Sequence, residues 1–141
     1  MRRDTASHAP RHAGSTASPF GYWEHLPPGY DPRGAPAPLL VFLHGLGENG
    51  DGSPEALPRV LCHGPPRLVH EGRWPDARPF VLLSPQYHGP LCPRAEDVAA
   101  FLAYALEAYH VDRERVFLTG LSCGAIGAWS YLAEHAHDTV V

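Results

Sequence analysis

The 141-residue sequence predicts an α/β fold, a mostly parallel sheet with flanking helices. Three observations carry that expectation. Apolar runs at 39–43, 80–83 and 116–118 have the unbroken hydrophobicity of strands covered on both faces. Segments 94–109 and 123–135 show helical character and alternate with those runs. The pentapeptide Gly120-Leu121-Ser122-Cys123-Gly124 then joins the last such run to the last such helix through a sharp turn.

The elements follow in chain order. Residues 1–18 are small, polar and without periodicity, which predicts a disordered tail and leaves 19–141 as one domain. Residues 20–26 suit a short strand. Pro27-Pro28-Gly29 and Asp31-Pro32-Arg33-Gly34 are turn chemistry. After the strand 39–43 comes a glycine-rich loop from His44 to Gly52, where glycines allow a tight turn and close approach to a ligand. No Lys-Ser/Thr follows, which excludes a P-loop.

Residues 55–61 predict a short helix, and the strand 80–83 closes at Ser84-Pro85. In 94–109, Val98, Phe101, Leu102, Ala105, Leu106 and Tyr109 fall on one helical stripe, with Glu96, Asp97 and Glu107 mostly outside it. The helix 123–135 opens with Ala and Gly, as tight packing on a sheet requires. Strand and helix in alternation imply parallel strands joined by crossovers.

Composition narrows the function. With 44% hydrophobic residues the chain has a core to bury, and a net charge of -4 gives no footprint for nucleic acid or an anionic membrane. No run is long enough to span a membrane, and 1–18 lack the apolar stretch of a signal peptide, so the expected location is cytoplasmic. Three widely spaced cysteines predict no disulfide framework, and Cys62 and Cys123 read as small buried hydrophobes. Trp23, Trp74 and Trp129 read as packing residues. The densest histidine group, His135-Ala136-His137-Asp138, places its histidines two apart, where they do not face each other. No metal and no cofactor is expected.

The pentapeptide has the form G-x-S-x-G in a strand–turn–helix setting, the requirement of a nucleophile elbow. Gly120 and Gly124 keep the turn free of clashes around Ser122. The backbone N–H of Cys123 would face a developing oxyanion, and a second donor would come from the His44-Gly45-Leu46-Gly47 loop, with Leu46 the best candidate. His44, at a strand end, is a possible base. His135 lies roughly 20 Å along the helix from Ser122, beyond hydrogen-bond reach. Glu48 reads as a loop carboxylate.

The segments Leu26-Pro27-Pro28-Gly29-Tyr30, Pro38-Leu39-Leu40-Val41-Phe42-Leu43-His44-Gly45, Ser84-Pro85-Gln86 and Val111-Asp112-Arg113-Glu114-Arg115-Val116 bear on family. With the elbow they resemble the prolyl-oligopeptidase-like and polyhydroxyalkanoate-depolymerase-like esterases of the α/β-hydrolase superfamily. The resemblance covers about residues 20–141. It implies the N-terminal part of an α/β-hydrolase fold, Ser122 as nucleophile, and an acid and a histidine on later strands that this chain does not contain. Family members usually continue Ser-Met-Gly-Gly where this chain has Ser122-Cys123-Gly124-Ala125. The implied substrate is a small or polymeric carboxylic ester. The rival expectation is a non-catalytic remnant that acts by binding, or by self-association through an open apolar sheet edge.

Overall fold

A computed structural model describes residues 4–135. Five strands form one mixed sheet: β1 (Ser7–Arg11), β2 (Tyr22–Leu26), β3 (Ala37–Leu43), β4 (Val81–Pro85) and β5 (Val111–Gly120), in the order β1-β2-β4-β3-β5. β3, β4 and β5 are parallel, while β1–β2 and β2–β4 are antiparallel. The helices are α1 (Gly64–His70), α2 (Ala95–Ala108) and α3 (Cys123–His135), with 3-10 turns at Leu46–Glu48 and Leu57–Cys62. This is the expected α/β class.

Side-chain alternation explains the unbroken apolar runs. Leu39, Val41, Leu43, Val81 and Leu83 join one core with Val98, Phe101, Leu102 and Ala105 of α2 and Ala128 and Tyr131 of α3. The alternate residues Phe42 and Leu82 are buried on the other face, where the 3-10 turn at Leu57–Cys62 and α1 lie. Period two on a sheet covered on both faces makes the runs Leu39–Leu43 and Val81–Leu83 apolar at every position.

Several sequence expectations need correction. The segment expected to be a disordered tail carries β1, which pairs along its whole length with β2. Its hold is specific: Arg11 bonds both carboxylate oxygens of buried Glu24, and the His8 ring lies 4.8 Å from that of Trp23. A half-exposed edge strand containing Pro10 gives no alternation to read. The helix expected at 55–61 is a 3-10 turn, and α1 follows it. Pro65 and Pro66 look like breakers but stand in the first turn, where a missing N–H costs nothing. Gly64, at φ 68°, enters α1 against the Phe42 ring, where a Cβ would lie 2.6 Å from Cζ. β5 is longer than expected because Val111 pairs with Ala37 before the register resumes at Val116 opposite Leu39, with an irregularity between the two pairs.

Glu24 also closes a buried hydroxyl chain. Tyr109 donates to its carboxylate, Tyr22 donates to Tyr109, and Tyr104 donates to Tyr22, the direction being fixed by the carboxylate end. Burial pushes the Tyr22 and Tyr109 hydroxyls well above the ordinary phenol range. The chain ties β2 to the C-terminal end of α2.

Candidate active site

The parallel strands β3, β4 and β5 deliver three loops to one end of the sheet, 44–53, 86–94 and 121–122. Ligands in open α/β sheets bind at the carboxyl ends of such strands. Ser122 lies there, exposed, between β5 and α3. Its φ is 54°, and among the described residues no other non-glycine has a positive φ. Holding serine in the left-handed region costs on the order of 1–3 kcal/mol, so the surrounding structure enforces it.

The enforcement is steric. A Cβ on Gly124 would lie 1.9 Å from the Leu43 carbonyl oxygen, and one on Gly120 would lie 2.5 Å from the Gly124 carbonyl carbon. The start of α3 is therefore pressed against the end of β3, closer than any side chain allows. The Leu121 N–H donates to the Leu43 carbonyl at 3.0 Å and fixes the height of the turn.

The loop after β3 lies against the elbow. A Cβ on Gly45 would meet the Leu121 carbonyl at 3.6 Å and Ser122 Cβ at 3.9 Å. Leu46 and Cys123 each open a helical turn, where the first N–H groups have no partner within the helix. A Cβ on Gly47 would meet nothing within 4 Å, so the loop does not require glycine there on steric grounds.

His44 is buried and fully engaged. Its Nε2 accepts from the Tyr87 N–H at 3.0 Å, so the proton sits on Nδ1, which donates to the Gly45 carbonyl at 2.7 Å. Burial lowers its pKa, against smaller opposing effects from the Gly45 carbonyl and Glu48. Neither nitrogen is left to take a proton from Ser122, which argues against the possible role as base. His44 instead holds the loop 86–94 to the loop 44–50. Asn49 does the same through Nδ2 to the Gly89 and Leu91 carbonyls. Gln86 adds bonds from Nε2 to the Glu48 and Ala56 carbonyls.

Glu48 is the loop carboxylate the sequence suggests, in the 3-10 turn after β3. It is 7% exposed, and its Oε1 has no hydrogen-bond partner among the described residues. Its Oε1 lies 3.7 Å from the same Cβ position on Gly45 that Ser122 faces. His135 stands at the far end of α3 and stacks on Tyr131. His137 and Asp138 lie outside the described residues.

The cysteine reading is overturned. Cys92, in the loop after β4, is bridged to Cys123, with Cα atoms 4.9 Å apart and a sequence separation of 31. Cys62 is exposed and unbridged, not a buried hydrophobe. Spacing alone does not reveal that the loop after β4 and the elbow share one end of the sheet. Trp129 is 72% exposed on α3, beside exposed Ile126, and so does not pack in the core as expected.

No family model matches the chain, and no curated protein sequence matches it. Solved structures do. A thermostable esterase is 24% identical with a TM-score of 0.58, over 96% of this chain and 39% of its own. A ferulic acid esterase is 21% identical with a TM-score of 0.60, over 97% of this chain and 56% of its own. An acetyl xylan esterase from Aspergillus awamori is 15% identical with a TM-score of 0.55, over 96% of this chain and 49% of its own. The chain thus spans between 39% and 56% of the length of these structures. The likeness shows the fold: this chain has the mixed sheet and flanking helices found in part of each of these esterases.

Proposed function

We propose that the chain is the nucleophile-bearing part of a serine hydrolase that cleaves carboxylic esters through an acyl-enzyme on Ser122. The observation that carries this reading is the left-handed, exposed Ser122, held by the contact of Gly124 with Leu43. Such strain persists where it serves a site. Ser122 Oγ gives up its proton and attacks the acyl carbon, the amides of Cys123 and Leu46 receive the oxyanion, and the ester C–O bond then breaks as the alcohol leaves with a proton. Water then releases the acid and regenerates the serine. The neighbouring structures are named as esterases, which favours esters over other acyl substrates. His44 is engaged by Gly45 and Tyr87, and His135 stands at the far end of α3, so this reading takes the base and its orienting acid to lie outside residues 4–135.

The test is ester turnover with and without Ser122. Hydrolysis of a p-nitrophenyl ester by the native protein should vanish in Ser122→Ala. Retained turnover rejects the assignment.

One observation favours the rival reading of a binding protein. β5 has a strand on one side only among the described residues, and Phe117, Leu121, Ile126 and Trp129 are exposed along β5, the elbow and α3. Such an edge and patch invite association. A concentration-dependent mass in sedimentation, together with no reaction at Ser122, would favour it. As to location, no described helix is long and apolar enough to cross a membrane. The Cys92–Cys123 bridge favours an oxidising compartment over the cytoplasm expected from the sequence.

A further inference from the structure

The disulfide lies one residue from the proposed nucleophile. Cys123 carries both the bridge and a proposed oxyanion amide, and it is the first residue of α3. Cys92 belongs to the loop 86–94. That loop is tied to the loop 44–50 by Tyr87 N–H to His44, Gly50 N–H to the Tyr87 carbonyl, and Asn49 to Gly89 and Leu91. The bridge is the covalent tie from this assembly to the elbow.

We propose that Cys92–Cys123 is a reversible modification site, at which a dithiol reductant opens the clamp on the elbow and reoxidation restores it. This rests on the reading of Ser122 as nucleophile.

Access and leaving-group chemistry agree on the direction. Cys92 is half-buried, and its neighbour Leu91 is 71% exposed, whereas Cys123 is 7% exposed. An incoming thiolate therefore attacks Cys92 Sγ. The sulfur–sulfur bond breaks, and its electron pair goes to Cys123 Sγ. The N-terminus of a 13-residue helix favours that thiolate, and a stabilised thiolate leaves readily. The second thiol of the reductant loses its proton and attacks the mixed disulfide. Cys92 leaves and takes up a proton. Two electrons have passed, the dithiol is now a disulfide, and the protein holds the Cys92 thiol and the Cys123 thiolate. Reduction has two consequences at the site. The loop 86–94 loses its covalent hold on α3, and a negative sulfur stands on the residue whose N–H should face an oxyanion.

The experiment uses the native full-length protein with Cys62→Ser, since Cys62 is exposed and unbridged. Dithiothreitol is added without denaturant. Thiols are counted by alkylation and intact mass, amide exchange is followed by mass spectrometry, and Ser122 is probed with a fluorophosphonate. Two thiols per chain should appear while the protein stays folded. Exchange of 119–126 should rise at least tenfold more than that of 98–106 in α2. Labelling of Ser122 should slow at least tenfold and recover on reoxidation. Cys92→Ser should match the reduced protein and ignore dithiothreitol. A bridge that yields only on unfolding overturns the proposal, and so does exchange at 119–126 that moves no more than α2. Equal labelling in both redox states overturns it too. If Ser122 is unlabelled in both states while exchange responds, the hydrolase reading fails and the redox clamp stands.

Discussion

Gly124→Ala puts the steric account of the elbow at risk. The new Cβ would meet the Leu43 carbonyl oxygen at 1.9 Å, the Leu43 carbon at 2.4 Å and the His44 oxygen at 2.7 Å. To reach ordinary contact, α3 and β3 must separate by about 1.5 Å. All three atoms are backbone, and β3 lies between β4 and β5, so nothing flexible absorbs the shift. Overpacking costs typically about 1–3 kcal/mol, and a backbone clash in an inner strand belongs at the upper end, about 3 kcal/mol. For a chain of this size that lowers the melting temperature by roughly 10 °C. Gly47→Ala is the control, because its Cβ meets nothing within 4 Å and its φ is not positive. It should change stability by less than about 0.5 kcal/mol. Circular-dichroism melts of the two variants decide the matter. A Gly124→Ala protein that melts within 2 °C of wild type, on the order of 0.5 kcal/mol, would refute the reasoning.

Three further outcomes are expected. Ser122→Gly relieves the left-handed strain but gains unfolded-state entropy, so it should raise stability by about 1 kcal/mol while removing ester turnover; a lower melting temperature would contradict the strain. Glu24→Ala leaves the Tyr109 hydroxyl without its buried acceptor and should cost about 3 kcal/mol, whereas Arg11→Ala, at a half-exposed partner, should cost no more than about 1 kcal/mol, both by urea titration. Burial lowers the pKa of His8 to about 4 and also lowers those of His25 and His44. The unfolded chain then binds these protons first, so stability should fall as pH drops from about 7 toward 5, by at most about 1.4 kcal/mol per unit for each histidine. His8 is only half-buried, which reduces its share. His8→Gln should flatten the slope of urea midpoints between pH 5 and 7, and an unchanged slope would remove His8 from the account.

The parts of the molecule legible in sequence are those where one physical demand dominates. The runs in β3 and β4 are unbroken because both sheet faces are covered. α3 runs from Cys123 to His135 as expected, and the two elbow glycines stand where backbone meets backbone. The parts that were not legible depend on partners distant in the chain. β1 is held by Glu24 and Trp23 rather than by its own pattern. His44 reads as a potential base until Tyr87, from another loop, is seen to occupy its Nε2. Nothing in the loop sequence marks Glu48 as buried, which the folded loop makes it. Cys92 and Cys123 are brought together only by the common end of β4 and β5.

The most direct test of the central claim is the site of a fluorophosphonate adduct on the native protein, located by peptide mass spectrometry. The account expects the adduct on Ser122 and its loss in Ser122→Ala. An adduct on another residue, or ester turnover that survives Ser122→Ala, would contradict it.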